Sequence, residues 1–362
     1  MVPNKKHGAG LKRIFLLFLI PLFTTLVYGQ QKAQADHLVL EGISLQDAGQ
    51  ADSAMAKYDQ ALKLDKDNLP ALAEMAYSFL SLEKYTESIG FSKRALKTHA
   101  RDPVLKSVYV SYGNALDGLG KAAKSIDIYN EGIRLFPEYA QLYFNRGISQ
   151  HELNKTEEAL LSFQKSATLN PDHAGSHNAL GHLLINMNHI PALLAFCRFL
   201  VLESLTTRAV QNLENVQQIM NAHVTQKKDE GRVSVNISRD MINPKKENQQ
   251  NNFASAELML ALSAALDNDS SYKQKTGVEK FIKKFSLLCG YLKETEKDNY
   301  GFYWDYYVPY FTEMNDKGFV TPFAYIAFSS TQTADMKDWL DAHKTEISEF
   351  SQWSADFKWR IN

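Results

Sequence analysis

The pattern of small, aromatic and polar residues between positions 140 and 173 predicts two helices joined by a tight turn. Gly147 and Ala159 are small enough to let two helix backbones approach closely, and Phe163 follows Ala159 by one helical turn. The polar residues 154–156 separate the two apolar runs. Pro171 ends the second helix, because proline has no N–H to donate and its ring clashes with the preceding turn.

The pattern recurs at a period of 34 residues and resembles the tetratricopeptide repeat, whose units each consist of a helix A and a helix B. The second unit is the weaker match, since it has Ser88 and Ser92 where alanine and an aromatic residue are expected. The resemblance implies an all-α protein with a right-handed superhelix of helix-turn-helix repeats. The predicted units are 35–68, 69–102, 106–139, 140–173 and 174–207.

The fifth unit departs from the repeat pattern in its second helix. Leu193 and Cys197 occupy the alanine and aromatic positions, and the run 190–204 is apolar on nearly every face. A terminal repeat needs a polar outer face, so another segment must cover this helix. We expect a capping helix at 208–225, with part of the C-terminal region, and we expect residues 35–225 to fold alone.

Beyond the repeats the composition changes. Residues 226–252 are rich in Asn, Gln and Lys and predict a polar linker, and the alternating run 233–238 has no visible pairing partner that would make it a strand. Residues 253–362 have helical apolar spacing without a repeat period, which predicts a small helical C-terminal domain of no family that we recognise.

The N-terminus has the pattern of a secretory signal peptide. Basic residues precede the apolar run 14–27, which ends in the small-residue pattern Val27-Tyr28-Gly29. We therefore expect residues 1–29 to direct export to a periplasm or to the cell exterior, and membrane association only through an uncleaved signal segment or a partner. A formal net charge of −1 gives no reason to expect a nucleic-acid partner.

Catalytic and cofactor motifs are absent from the sequence. There is no phosphate-binding glycine loop, no Gly-x-Ser-x-Gly turn, no Cys-x-x-Cys pair and no His-Glu-x-x-His helix. We expect no catalytic residue and no cofactor. The apolar neighbours of Cys197 and Cys289 are typical of buried cysteines, although an oxidising compartment would permit a disulfide.

Four histidines between positions 173 and 189 are the nearest approach to a metal site. The repeat register places them at packing or loop positions, so we expect structural roles and no metal, with zinc binding as the alternative. The four are His173, His177, His182 and His189.

The repeat register also assigns residues to the concave face formed by the helices A. None of them is basic, which disfavours the carboxylate clamp that other tetratricopeptide proteins build from lysine and arginine. We expect a protein or peptide partner in this groove, unless the same residues face only solvent or the C-terminal region. The predicted partner-binding residues are Tyr77, Asn114, Phe144, His151, Asn178 and His182.

The segment 300–311 is dense in aromatic residues and has two interpretations. Tyrosine and tryptophan rings can stack on sugars, and a run of them can equally form the core of a small helical domain. The sequence thus predicts a non-enzymatic interaction scaffold of the cell envelope. The alternative is a glycan-binding or glycan-processing module with its site at Tyr303, Trp304, Tyr306 and Tyr307.

Overall fold

The computed structural model describes residues 10–227, 232–242, 250–265 and 274–360, with side chains described at 29–223, 234–239, 241–242, 250–263 and 274–360. Within these ranges the chain is almost entirely α-helical and divides into two compact units, residues 1–154 and 155–362. None of the described helices is both long enough and apolar enough to cross a bilayer.

The first unit contains helices α1 to α7: α1 (Gly10–Asp47), α2 (Ala51–Leu64), α3 (Leu69–Ser81), α4 (Tyr85–Thr98), α5 (Leu105–Gly118), α6 (Ala122–Leu135) and α7 (Ala140–Glu152). The second contains α8 (Thr156–Leu169), α9 (Ala174–Leu184), α10 (His189–Leu202), α11 (Thr207–Met220), β1 (Val224–Lys227), β2 (Arg232–Val235), α12 (Arg239–Ile242), α13 (Ala254–Ala265), α14 (Gly277–Thr295), α15 (Phe302–Asp316), α16 (Val320–Phe328), α17 (Ala334–Ala342) and α18 (Lys344–Asp356).

Helix pairs form because a glycine on helix A receives an aromatic ring from helix B. A Cβ atom on Gly113 would lie 2.2 Å from Cε1 of Tyr129, so no larger residue fits without displacing a fully buried ring. The fifth unit uses the same contact one position earlier than the repeat pattern expects: Phe196, and not Cys197, packs on Gly181. The glycine-to-aromatic contact therefore survives the departure from the pattern.

In the second repeat, residues 69–102, hydrogen bonds replace this apolar contact. Ser88, at the alanine position, is fully buried and donates to the carbonyl of Ala76 at 2.8 Å. Ser92 donates in turn to the carbonyl of Ser88 at 2.8 Å. Because both hydroxyls have an acceptor, these two deviations carry no unpaired buried donor.

Helix α10 is the centre of the second unit. Every residue from Ile190 to Leu200 is buried, and α9, α11, α13, α15 and α16 all contact the helix. The structure thus confirms that this apolar helix is covered. It differs from the sequence prediction in the extent of the cover: the helices beyond 253 share one core with the fifth repeat, so residues 35–225 alone would leave part of α10 in water.

A β-hairpin forms at the start of the predicted linker, so the run 233–238, for which a strand was not favoured, contributes to one. Strands β1 and β2 are antiparallel and pair Val224 with Val235 and Lys227 with Arg232. The partner strand β1 begins in the last two residues of the segment predicted as the capping helix and continues into the predicted linker, and its alternation is too short to recognise in the sequence. Residues 228–231 and 243–249 of the predicted linker lie outside the described residues.

Helix α1 begins at Gly10 and continues without interruption into the first repeat. Residues 1–9 of the predicted signal peptide lie outside the described residues, and cleavage after Gly29 stays a prediction.

The fully buried imidazole of His177 generates a pH prediction for the second unit. Its Nε2 lies 2.9 Å from the carbonyl of Pro171 and its Nδ1 lies 2.7 Å from the hydroxyl of Tyr307. Burial, assisted by the charge of Arg198, lowers the pKa of His177 from 6.5 to about 3. The folded state therefore holds this ring neutral at a pH where the unfolded chain binds a proton.

We expect the stability of the second unit to be complete above pH 6.5 and to fall as the pH drops toward 3, with His177 contributing up to about 1.4 kcal/mol per pH unit. Urea unfolding at several pH values, followed by tryptophan fluorescence, measures this, because all four tryptophans lie in this unit. His177→Gln should be less stable at pH 7 and show a flatter dependence. An unchanged slope in the variant would contradict the assignment.

Candidate functional site: the helix A face

We define the helix A face as the surface of the first unit that carries Tyr77 on α3, Asn114 on α5, and Phe144, Ile148 and His151 on α7. Tyr77 exposes 50% of its surface and Ile148 exposes 36%. His151 is exposed, and Phe144 and Asn114 are half-buried. The aromatic and aliphatic side chains are therefore accessible to a partner on this face.

Asn114 is already engaged within the protein. Its Oδ1 atom accepts hydrogen bonds from the Tyr129 hydroxyl at 2.6 Å and from Nδ2 of Asn145 at 2.8 Å. Tyr129 belongs to the same repeat and Asn145 to the next one, so the amide of Asn114 joins two repeats. We therefore expect the main role of the Asn114 side chain to be stabilising the array of repeats, and contact with a ligand to be secondary.

Asp117 extends the same network by one helical turn. Its carboxylate accepts hydrogen bonds from Ser125 Oγ at 2.5 Å and from Ser149 Oγ at 2.8 Å, and Tyr129 donates to it at 3.1 Å. Burial raises the pKa of Asp117, and these three donors oppose that shift. A carboxylate held by three hydroxyl groups between two repeats fixes the spacing of their helices.

The helix A face also carries negative charge near the helix ends. Burial raises the pKa of Glu74, and the neighbouring carboxylate of Asp47 raises it further. Burial and the carboxylate of Asp117 raise the pKa of Glu152 in the same way. Within the described ranges none of these four carboxylates forms an ion pair with a lysine or arginine, and of the four only Asp117 is shown with side-chain hydrogen bonds.

The two remaining predicted groove residues, Asn178 and His182, belong to the second unit. The Oδ1 atom of Asn178 accepts from Nδ2 of Asn212 at 2.7 Å, which fixes α11 to the fifth repeat. His182 is exposed and lies edge-on to the ring of Phe196 at 5.2 Å between centroids. Asn178 thus helps to hold α11 in place, and α11 is one of the helices that cover the apolar α10.

The aromatic segment 300–311 is core, so the interpretation of Tyr303, Trp304, Tyr306 and Tyr307 as a glycan site was wrong. All four side chains are at most 4% exposed. Trp304 stacks on Phe253 at 4.3 Å, and the hydroxyl of Tyr306 donates to the carbonyl of Ala167 at 2.8 Å. Rings buried against other helices have no face left for a sugar.

The four clustered histidines do not converge on one point. His173 caps α9 by accepting from the N–H of Ser176 at 3.1 Å, and His177 is buried beside Tyr307. Only His189 approaches other potential metal ligands, and these are His223 and Glu257. The sequence offered no signal for this group, because its three members come from separate elements.

The two histidines of this group respond differently to their surroundings. Contact with the carboxylate of Glu257 raises the pKa of His189, whereas burial lowers the pKa of His223.

Comparison with known proteins agrees with the helix pairs described above. The family model of the tetratricopeptide repeat matches residues 113–174. The chain contains tetratricopeptide repeats. The match covers the third and fourth units, where glycine, aromatic and proline positions all follow the pattern.

Two curated relatives match over the repeat motif. The chain is 25% identical over 159 residues to SPINDLY of Hordeum vulgare, a probable UDP-N-acetylglucosamine–peptide N-acetylglucosaminyltransferase, with 42% of this chain and 16% of that protein covered. It is 30% identical over 94 residues to the protein FlbA of Caulobacter vibrioides, with 26% of this chain and 15% of that protein covered. The chain therefore spans about a sixth of the length of the curated relatives it matches.

Solved structures of tetratricopeptide proteins are similar at low identity. PilF of Pseudomonas aeruginosa is 18% identical, with a TM-score of 0.46 over 53% of this chain and 91% of that chain. A thermophilic TPR protein of Thermus thermophilus is 21% identical, with a TM-score of 0.38 over 51% of this chain and 92% of that chain.

The two kinds of residue on the helix A face should respond differently to truncation. Asn114→Ala leaves the buried Nδ2 of Asn145 without this acceptor and should cost about 1–3 kcal/mol of unfolding free energy. Tyr77→Ala removes a half-exposed ring and should change stability by less than about 0.5 kcal/mol. Denaturant unfolding of both variants followed by far-UV circular dichroism checks this. Equal costs would show that Asn114 has no special role between repeats.

Proposed function

We propose that the protein is a non-enzymatic interaction scaffold that binds an extended segment of a partner protein on the helix A face of its first unit. Arrays of such repeats provide continuous surfaces made of side chains from successive units. The observation that carries the proposal is the combination, on one face, of exposed apolar side chains with carboxylates that form no ion pair with a lysine or arginine among the described residues.

The apolar contribution comes from Tyr77 and Ile148, which occupy the same register position in two different repeats. Both are more exposed than a core residue would be, although the polar neighbours of that face are hydrogen-bonded internally. Large side chains of this kind commonly supply the dominant contacts in protein interfaces. A partner segment that reaches both residues would therefore engage at least two repeats.

The electrostatic contribution selects among partner segments. Asp47, Glu74, Asp117 and Glu152 leave the face acidic. A segment that carries lysine or arginine beside apolar residues would complement it, and an acidic or carboxylate-terminated segment would be repelled. This matches the absence of basic residues at the register positions of the carboxylate clamp.

The cellular location enters the proposal from the N-terminal sequence. The basic and apolar pattern of residues 1–29 supports export, and the cell envelope is then the compartment in which the scaffold would meet its partner.

A selection experiment tests the partner chemistry. The full-length protein is used to select binders from a phage-displayed library of random peptides of about 12 residues, a length that spans several repeats when extended. Enriched peptides should combine lysine or arginine with aliphatic or aromatic residues. Their affinity should fall as salt is raised, because exposed charge contacts are screened.

The variant Tyr77→Ala with Ile148→Ala should weaken a selected peptide by about 100-fold, since each anchor contributes on the order of 1–2 kcal/mol. Leu161→Ala is the matched control, because Leu161 is 65% exposed but lies on α8 in the other unit. Unchanged affinity in a folded double variant, or selection of acidic peptides, would contradict the proposal.

A further inference from the structure

Three potential metal ligands converge in the second unit at the start of α10. They are His189, the first residue of α10; His223, in the turn before β1; and Glu257, in the first turn of α13. One nitrogen of each histidine and one carboxylate oxygen all lie within 4.8 Å of one another.

The ligand atoms face each other across a short distance. Nδ1 of His189 lies 2.6 Å from Oε1 of Glu257, and Nε2 of His223 lies 3.9 Å from the same oxygen. The centroids of the two imidazole rings are 5.5 Å apart, and the ring planes are inclined at 65° to each other. Nε2 of His223 is buried and has no hydrogen-bond partner within the described residues, a state that costs free energy unless another group binds there.

The backbone on each side of the group is fixed. The Asn188 side chain donates to the carbonyl of Asn251 at 3.1 Å, which joins the start of α10 to the segment that leads into α13. The carbonyl of His223 accepts from the N–H of Asn236 at 2.7 Å, which closes the hairpin next to the histidine. The three ligands therefore sit on anchored segments, as a metal site requires.

The donor types select the metal. Two imidazole nitrogens and one carboxylate oxygen are a common ligand set for zinc with one open coordination position, whereas calcium and magnesium prefer oxygen ligands. Tetrahedral coordination at zinc–ligand distances of about 2.0–2.2 Å places ligand atoms about 3.4 Å apart. The nitrogen–oxygen distances of 2.6 and 3.9 Å lie on either side of that value, so small side-chain rotations would complete the geometry.

We propose that His189, His223 and Glu257 bind one zinc ion per chain. His189 exposes 32% of its side-chain surface, so the group lies near the surface of the second unit. The bound ion would join the start of α10, the hairpin and α13, three segments that are distant in sequence. The site is independent of the helix A face, which belongs to the first unit.

The test uses the full-length protein, stripped of metal with a chelator and titrated with zinc chloride by isothermal calorimetry. We expect binding of one zinc per chain, no comparable binding of magnesium or calcium, and a rise in the melting temperature with zinc concentration. Titration with cobalt(II) should give the visible absorption bands of a four- or five-coordinate site.

His223→Ala and Glu257→Gln should each weaken zinc binding by more than about 100-fold, because loss of a direct ligand exceeds the effect of losing a supporting hydrogen bond. His182→Ala is the matched control: this histidine is exposed, lies in the same unit and is outside the group. If His223→Ala fails to fold, Glu257→Gln decides, since it keeps the shape of the side chain. Absent binding, or zinc binding that either folded ligand variant retains at full affinity, would overturn the proposal.

Discussion

The second unit depends on covering α10, a helix that has no polar face. The only charged side chain in its buried stretch is Arg198, which is 1% exposed. Removing a guanidinium from water costs several kcal/mol unless partners compensate. The partners are Asp172 at 2.7 Å, the Tyr310 hydroxyl at 3.1 Å and Ser354 Oγ at 3.1 Å.

Aromatic rings complete the environment of this charge. The guanidinium carbon lies 4.9 Å from the ring centroids of both Tyr310 and Trp359, within the range of cation–π attraction. Most of these partners come from beyond residue 300, so the C-terminal helices supply what the fifth repeat lacks. This explains why the aromatic segment 300–311 is buried, and it removes that segment from consideration as a binding surface.

The first unit has a different arrangement: most of its repeats follow the usual pattern, and the second repeat replaces the aromatic contact by hydrogen bonds. Its internal polar residues, Asn114 and Asp117, hold neighbouring repeats together. Tyr77 and Ile148, in the repeats on either side, remain exposed. In the proposed function, stability and recognition therefore depend on different side chains, with Asn114 and Asp117 on α5 and the exposed anchors on α3 and α7.

Much of the fold could be predicted because its determinants are local. Glycine at one position and an aromatic residue 16 places later specify helix pairs such as that of Gly113 and Tyr129, and the all-apolar α10 required a cover. The identity of that cover depended on contacts such as that between His177 and Tyr307, which are 130 positions apart and leave no local pattern. The hydrogen bond between Asn114 and Tyr129 could not be predicted for a related reason. The repeat register gives the face on which a residue lies but not its hydrogen bonds.

Hydrogen exchange of the full-length protein, measured by mass spectrometry, tests most directly whether the C-terminal helices complete the core of the repeats. If they do, amides of α10 and α15 belong to one cooperative unit, exchange at the same slow rate and lose protection together as denaturant is added. If α15 exchanges or unfolds independently while α10 stays protected, the region beyond 253 is a separate domain and α10 does not depend on it for cover.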